Sequence, residues 1–160
     1  MNTHDFQATV TWTGNLGSGT ASYSSFSRAH EISAAGKAAI AGSSAPAFRG
    51  DASRWNPEEL LVASLSACHQ LWYLHLCAVE HVIVLSYVDG AQGTMDVRQD
   101  GGGRFTSVTL RPVVTISRGS DPQRAQALHE NAHAKCFIAN SVNFSVRCEG
   151  SVVVDPGSQP

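Results

Sequence analysis

The stretch that decides the fold is Asn56–Val79, NPEELLVASLSACHQLWYLHLCAV. Its first residues are typical of a helix start, because Asn56 is a good N-cap, Pro57 suits the first helical position and Glu59 stands three residues after the cap. The run Leu60–Val79 then contains no formal charge in twenty residues. That length would cross a bilayer, but its serines, histidines and glutamine are too polar for a lone span. The stretch predicts one long helix that is buried in protein on most of its sides.

The whole composition is also low in charge. Asp, Glu, Lys and Arg make up 15% of the 160 residues, hydrophobic residues 42%, and the formal net charge is −2. The near-neutral balance argues against nucleic-acid binding, which needs a basic face, and the hydrophobic content excludes a disordered chain. So much uncharged surface predicts a large subunit interface. We expect no nucleic-acid partner and no membrane partner.

The remaining chain shows strand-like runs and one further helix. The second helix is predicted from Asp121 to Lys135, with Pro122 at its first position. Strands are predicted at Phe6–Val10, Thr20–Ser24, His30–Ala34, within Val82–Arg98 and Phe105–Ser117, and at Val142–Val154. This order predicts an α+β fold, in which a mostly antiparallel sheet is wrapped around the long buried central helix, with the second helix beside it. We expect a single domain over residues 1–160.

Four cysteines, at positions 68, 77, 136 and 148, are the first candidates for chemistry. Residues 1–12 lack the pattern of a signal peptide, so we expect a cytoplasmic protein with reduced thiols. Cys68 lies in the middle of the long helix, and Cys77 points to roughly the opposite face, so these two cannot bond within one straight helix. Cys136 follows the second helix, where it would form a redox pair if it faced a second buried cysteine. The spacing alone does not bring Cys68 and Cys136 together.

The run Asn56–Cys68, NPEELLVASLSAC, resembles the signature of the OsmC/Ohr family, the osmotically induced protein C and organic hydroperoxide resistance proteins. Ala134-Lys135-Cys136 is similar to the second cysteine motif of that family, and the chain length and strand order fit as well. Phe137 and Ile138 follow Cys136 where family members usually have proline and a small residue, which indicates a divergent OsmC-like branch. The resemblance implies an OsmC-like fold and an intertwined homodimer.

The resemblance also implies a two-cysteine peroxidase that reduces organic hydroperoxides to alcohols. Cys68 would be the peroxidatic cysteine, which becomes a sulfenic acid, and Cys136 the resolving cysteine, which condenses with it to a disulfide. The family implies a lipoyl-type dithiol as the reductant. This chemistry requires no bound metal or flavin cofactor. Apolar neighbours of Cys68 would favour organic substrates, and the candidates are Leu65, Leu71, Trp72, Phe48 and Phe137.

A thiolate in an apolar helix needs a positive neighbour, because burial raises the pKa of a thiol. The family uses an arginine held by the first glutamate of the motif, here Glu58. Arg49 best matches that arginine, and Arg54 is the second choice. Glu58 precedes Cys68 by ten residues, about 15 Å along a helix axis. Glu58 is therefore either an acid that complements the helix dipole, or it acts in trans on Cys68 of a second subunit, with active sites at the dimer interface.

Two other classes of function remain open at this stage. His129, His133 and Cys136 stand at i, i+4 and i+7 on one helical face, which is a possible ligand set of a metal-binding module. A non-enzymatic ligand-binding OsmC-like dimer is the other alternative. His69 either assists proton transfer or is satisfied in the core. Cys77 and Cys148 are interpreted as structural.

Overall fold

In the computed structural model, which describes residues 2–157, the chain forms two compact units that divide between Leu60 and Leu61. The first unit contains an antiparallel sheet with the strand order β1-β2-β3. Its strands are β1 (Thr9–Trp12), β2 (His30–Ser33) and β3 (Ile40–Gly42). The strand predicted at Thr20–Ser24 is wrong, because this serine-rich stretch forms turns. There the Ser25 hydroxyl donates to the carbonyl oxygens of Gly19 and Ser22, each at 2.9 Å.

The first helix, α1, spans Pro57–Val79 and begins where the sequence predicts. The Glu59 N–H donates to Asn56 Oδ1 at 2.8 Å, and the Asn56 N–H donates to Glu59 Oε2 at 3.4 Å. This reciprocal pair is the capping box, which satisfies two backbone donors that a helix start otherwise leaves unpaired. The helix ends before His81, whose φ of 59° is in the left-handed region.

The single chain buries one stripe of α1. Its buried residues recur every fourth position, as Leu65, His69, Tyr73 and Cys77. The stripe on the opposite side of the helix, which includes Ala63, Ala67 and Leu71, is exposed. By length and composition α1 also qualifies as a membrane span. This is weak evidence, because core helices of soluble proteins pass the same criterion. In the single chain, 22% of its most apolar 18-residue stretch is buried.

The second unit contains two three-stranded sheets, ordered β4-β7-β9 and β5-β6-β8. The pairs β4–β7 and β5–β6 are antiparallel, whereas β7–β9 and β6–β8 are parallel. The α+β class is therefore confirmed, with four antiparallel and two parallel strand pairs between the named strands of residues 2–157. The strands are β4 (Val84–Asp89), β5 (Gln92–Val97), β6 (Gly103–Leu110), β7 (Pro112–Ile116), β8 (Ser145–Cys148) and β9 (Ser151–Val154).

The predicted closing strand is in fact two strands, β8 and β9, that join different sheets. The break falls at Glu149 and Gly150, where the Glu149 N–H donates to the Leu110 carbonyl oxygen at 2.8 Å. A side chain at Gly150 would place a Cβ 2.8 Å from Nε2 of His129, so a glycine is needed there. This close approach brings the end of β8 against the second helix.

The second helix, α2, spans Pro122–Lys135 and also follows the prediction. The Asp121 side chain accepts hydrogen bonds from the N–H groups of Gln123 and Arg124, and Pro122 occupies the first turn. One face of α2 is buried through Ala125, Leu128, His129 and Ala132. Leu128 packs in one core cluster with Tyr73 of α1 and Val114 and Ile116 of β7. Full burial of such an aliphatic side chain stabilises a fold by about 1.5–3 kcal/mol.

Candidate functional site

Cys68 lies in the middle of α1, directly before the buried His69. It is a free thiol and is half-buried. Successive helix residues diverge by about 100°, so Cys68 lies between the buried stripe and the exposed stripe of α1. Cys68 is therefore partly exposed while its backbone is held in the helix.

Cys136 caps the C-terminal end of α2 and is also a free thiol. Only 1% of its surface is exposed. The chain wraps around it: the Ala139 N–H donates to Cys136 Sγ at 3.4 Å, and the Asn140 N–H donates to its carbonyl oxygen at 3.0 Å. The turn after α2 thus encloses this thiol and fixes its direction.

The structure brings the thiols of Cys68 and Cys136 together across 68 positions of sequence. Burial, followed by the neighbouring Cys68 thiol as a hydrogen-bond partner and through its charge, raises the pKa of Cys136 to about 11. Cys136 is therefore a protonated thiol near neutral pH. The pair is asymmetric, with one accessible sulfur and one enclosed sulfur.

An apolar pocket lies one turn further along α1 from Cys68. It has a volume of about 280 Å³ and is lined by Leu71, Trp72, His75 and Phe137. The rings of Trp72 and Phe137 meet edge to face, with their centroids 5.6 Å apart. Because Phe137 follows Cys136 directly, this aromatic pair also links the pocket to the enclosed thiol. Leu65, by contrast, is fully buried in the core and does not line the pocket.

Arg49 and Glu58, the two other predicted site residues, do not pair with each other within residues 2–157. Arg49 ends a short 3₁₀ turn with φ of 63°, and its guanidinium carbon lies 5.5 Å from the centroid of the Tyr23 ring. Glu58 Oε2 is buried and has no hydrogen-bond partner within the described chain. Arg54, the second choice, pairs with Asp51 at 3.6 Å. The roles of Arg49 and Glu58 stay predictions.

A second group of chemically capable side chains lies in the core, and we call it the imidazole–thiol cluster: His69 of α1, His129 of α2 and Cys148 of β8. His69 Nε2 is 3.1 Å from His129 Nδ1 and 3.5 Å from Cys148 Sγ. Burial lowers the pKa of both histidines to about 4, aided for His69 by the charge of His133 and for His129 by that of His69. Burial raises the pKa of Cys148 to about 11.

The sequence model of the family described as "OsmC-like protein" matches residues 50–150. The chain belongs to the OsmC-like protein family. Comparison with curated protein sequences gives no match. The matched residues include Cys68, Cys136 and the whole of α1 and α2.

Solved structures of OsmC-like proteins have the same fold. One is an OsmC-like protein of unknown function from Vibrio cholerae, which is 34% identical over 92% of this chain and 99% of its own, with a TM-score of 0.80. An organic hydroperoxide resistance protein from Elizabethkingia anophelis is 18% identical over 96% of this chain and 99% of its own, with a TM-score of 0.69. The organic hydroperoxide resistance protein OhrB of Bacillus subtilis is 22% identical over 92% and 98%, with a TM-score of 0.58.

The imidazole–thiol cluster is the part of the site region that the sequence did not predict. The proposed ligand set of His129, His133 and Cys136 is wrong, because within residues 2–157 the converging set is His69, His129 and Cys148. Cys148, which the sequence analysis interprets as structural, lies 3.5 Å from His69 Nε2. No local pattern indicates this cluster, since 60 residues separate His69 from His129 and 79 separate it from Cys148.

Proposed function

We propose that this OsmC-like protein is a thiol-dependent peroxidase that reduces organic hydroperoxides to alcohols. The observation that carries the proposal is the asymmetric pair of reduced thiols, Cys68 half-buried on α1 and Cys136 enclosed after α2. The names of two structural relatives, organic hydroperoxide resistance proteins, support the same chemistry. The pocket formed by Leu71, Trp72, His75 and Phe137 supports an organic substrate, because it offers an apolar surface beside the thiols.

The chemistry follows from the difference between the two sulfurs. The Cys68 thiolate attacks the distal oxygen of the hydroperoxide, the O–O bond breaks, and the alkoxide takes up a proton and leaves as the alcohol. Cys68 is then a sulfenic acid. The Cys136 thiol condenses with it, so that an S–S bond forms and one water leaves. A lipoyl-type dithiol then reduces the disulfide by thiol–disulfide exchange, which returns both thiols and oxidises the donor.

We propose that the active form is a homodimer with active sites at its interface. The exposed apolar stripe of α1 supports this assembly, and so does the buried Glu58 Oε2, which has no donor within the described chain. Glu58 and Arg49 of one subunit would then serve Cys68 of the other. The four free thiols suit a reducing compartment such as the cytoplasm.

The test is to treat the reduced protein with one equivalent of cumene hydroperoxide and to map disulfides by mass spectrometry. We expect rapid formation of a Cys68–Cys136 disulfide, its loss in Cys68→Ser, and a trappable Cys68 sulfenic acid in Cys136→Ser. Cys77→Ser is the matched control, because Cys77 is a buried cysteine of the same helix outside the pair. Slow or scattered oxidation in the unmodified protein would reject the proposal in favour of a ligand-binding dimer.

A further inference from the structure

The proposed peroxide chemistry does not use the imidazole–thiol cluster, which contains the types of side chain that bind soft metal ions. We propose that His69, His129 and Cys148 form a zinc site in the core. Each residue comes from a different element, α1, α2 or β8, and the three ligand atoms lie within 4.8 Å of one another. The inference is independent of the peroxidase proposal.

The distances between the ligand atoms match a zinc site. Zn–N bonds of about 2.0–2.1 Å and Zn–S bonds of about 2.3 Å at tetrahedral angles place two nitrogens about 3.3 Å apart, and a nitrogen and a sulfur about 3.6 Å apart. The observed separations are 3.1 Å for the two imidazole nitrogens and 3.5 Å for His69 Nε2 and Cys148 Sγ. These two separations match a zinc site, and all three ligand atoms lie within 4.8 Å of one another, so a small movement lets them face one ion.

Burial is the second argument. His69 has no exposed surface and His129 has 4%, so bulk water has little access to His69 Nε2 and His129 Nδ1, the two nitrogens that face each other. Two neutral imidazoles share only one hydrogen bond here, whereas an ion would accept a lone pair from both.

The rings are also held in fixed orientations. The Tyr73 ring stacks on that of His129 with centroids 4.0 Å apart and an angle of 12° between the planes. The Tyr73 hydroxyl donates to the Ala125 carbonyl oxygen at 3.1 Å, which fixes Tyr73 in turn. Gly150 leaves room for the His129 ring, because a Cβ there would meet its Nε2 at 2.8 Å. Stacking on Tyr73, rather than a hydrogen bond to its outer ring nitrogen, therefore orients the His129 ring.

The ligand types select the metal. Two imidazoles and one thiolate suit zinc, which is borderline-soft, and exclude calcium and magnesium, which prefer oxygen ligands. Asp89, the acid whose charge acts on His69 and Cys148, is engaged elsewhere, since it accepts hydrogen bonds from the Ser66 hydroxyl and the Arg111 N–H. Three protein ligands leave the fourth position to a water molecule.

The test uses the reduced full chain after removal of metal by a chelator. Zinc is titrated in competition with a chromophoric chelator, and cobalt(II) is added separately as a spectroscopic probe. We expect one zinc per chain, and with cobalt the near-ultraviolet charge-transfer band of a single thiolate together with visible bands of tetrahedral intensity. No zinc uptake at micromolar concentrations, or a cobalt spectrum of two thiolates, would overturn the proposal.

Variants separate this site from the Cys68–Cys136 thiols. Cys148→Ser and His129→Gln should each weaken zinc binding by about tenfold or more, whereas Cys77→Ser and His133→Gln should retain it. Zinc that is retained in Cys148→Ser but lost in Cys136→Ser would contradict the proposal. If Cys148→Ser does not fold, as judged by circular dichroism, alkylation of the unmodified protein decides the matter. Zinc should then protect Cys148 from the reagent and leave Cys68 reactive, and the reverse pattern would reject the site.

Discussion

Cys136 lacks the two properties that would let its sulfur react with a peroxide first, which are access from solvent and a readily formed thiolate. Cys68 is half-buried, whereas Cys136 has 1% exposure and a pKa raised to about 11 by burial and by its neighbour Cys68. A thiol that stays protonated and enclosed is a poor first nucleophile. It is nevertheless well placed to condense with a sulfenic acid that forms beside it, because condensation expels water and needs only proximity.

His69 and His129 make the stability of the metal-free protein depend on pH. Their pKa values are about 4 in the folded protein, against 6.5 for an ordinary histidine. Between these values the unfolded chain binds protons that the folded chain does not, so the free energy of unfolding falls as pH falls from about 6.5 towards 4. We expect the free energy of unfolding to fall by a few kcal/mol for the two histidines together, mainly because of their burial. The charge of His133 adds to the lowering of the His69 pKa, and that of Asp89 opposes it.

Urea unfolding in the presence of a chelator, at pH values from 7 down to 5, measures this dependence while most carboxylates are still ionised. The variant His129→Gln should flatten the slope, whereas His4→Gln, a change at an exposed histidine, should leave it unaltered. A slope that is the same in all three proteins would contradict the assignment of the two buried histidines.

At the scale of the element, α1 has to serve two surfaces. Its buried stripe packs in the core of its own chain, and its exposed stripe of Ala63, Ala67 and Leu71 is apolar and without charge. Small residues at four-residue spacing let another element approach closely. We therefore expect the stripe to be covered by a second copy of the chain.

The variant Ala67→Glu tests this assignment of the stripe. A carboxylate placed in a subunit contact would lose its hydration without gaining a partner, so we expect the dimer to dissociate into monomers. Light scattering coupled to size-exclusion chromatography gives the mass. Ala127→Glu, an equivalent change at an exposed alanine of α2, should remain dimeric. Equal masses for the two variants would place the interface elsewhere.

The elements that the sequence predicts correctly are those with local signals. Asn56 with Glu59, and Asp121 with Gln123 and Arg124, mark the starts of α1 and α2 through hydrogen bonds that span three residues or fewer. The division of the last strand has no such signal, because β8 and β9 are separated by their pairing with β6 and β7, far earlier in the chain. Serine-rich stretches mislead for a related reason, since hydroxyl groups compete for the backbone and favour turns.

The candidate site shows the same limit. A family resemblance indicates Cys68 and Cys136, and the structure brings them together. The imidazole–thiol cluster depends on three elements meeting in space, and sequence spacing contains no information about such a meeting. The predicted ligand set of His129, His133 and Cys136 is wrong because side chains on one face of a helix do not necessarily point to one position.

At the scale of the whole molecule, the question is whether each active site belongs to one chain or to two. Glu58 lies about 15 Å along α1 from Cys68, and its buried Oε2 has no donor within the described chain. If Glu58 of the partner subunit serves Cys68, then Glu58→Gln and Cys68→Ser complement each other. Each variant alone should turn over slowly while staying folded.

Mixed and re-equilibrated in equal amounts, the two variants should regain about a quarter of the unmodified peroxidase rate. Half of the dimers are then mixed, and each mixed dimer has one intact site out of two. The measurement is the turnover of cumene hydroperoxide with dihydrolipoamide before and after mixing. Cys68→Ser mixed with Cys136→Ser is the control, because both thiols belong to one site within a chain and no recovery is expected. Absence of recovery in the first mixture would assign Glu58 to its own chain.

The order of the strands has a consequence for synthesis on the ribosome. The chain finishes α1 at Val79, but the parallel strands that complete its two sheets end only at Cys148 and Val154. About 75 further residues must be added, which takes roughly 4–15 s at ordinary elongation rates. During that time a helix of 23 residues, uncharged from Leu60 to Val79, lacks the strands that cover it. The nascent chain is therefore a natural client of chaperones that recognise apolar segments, well before it can meet a peroxide.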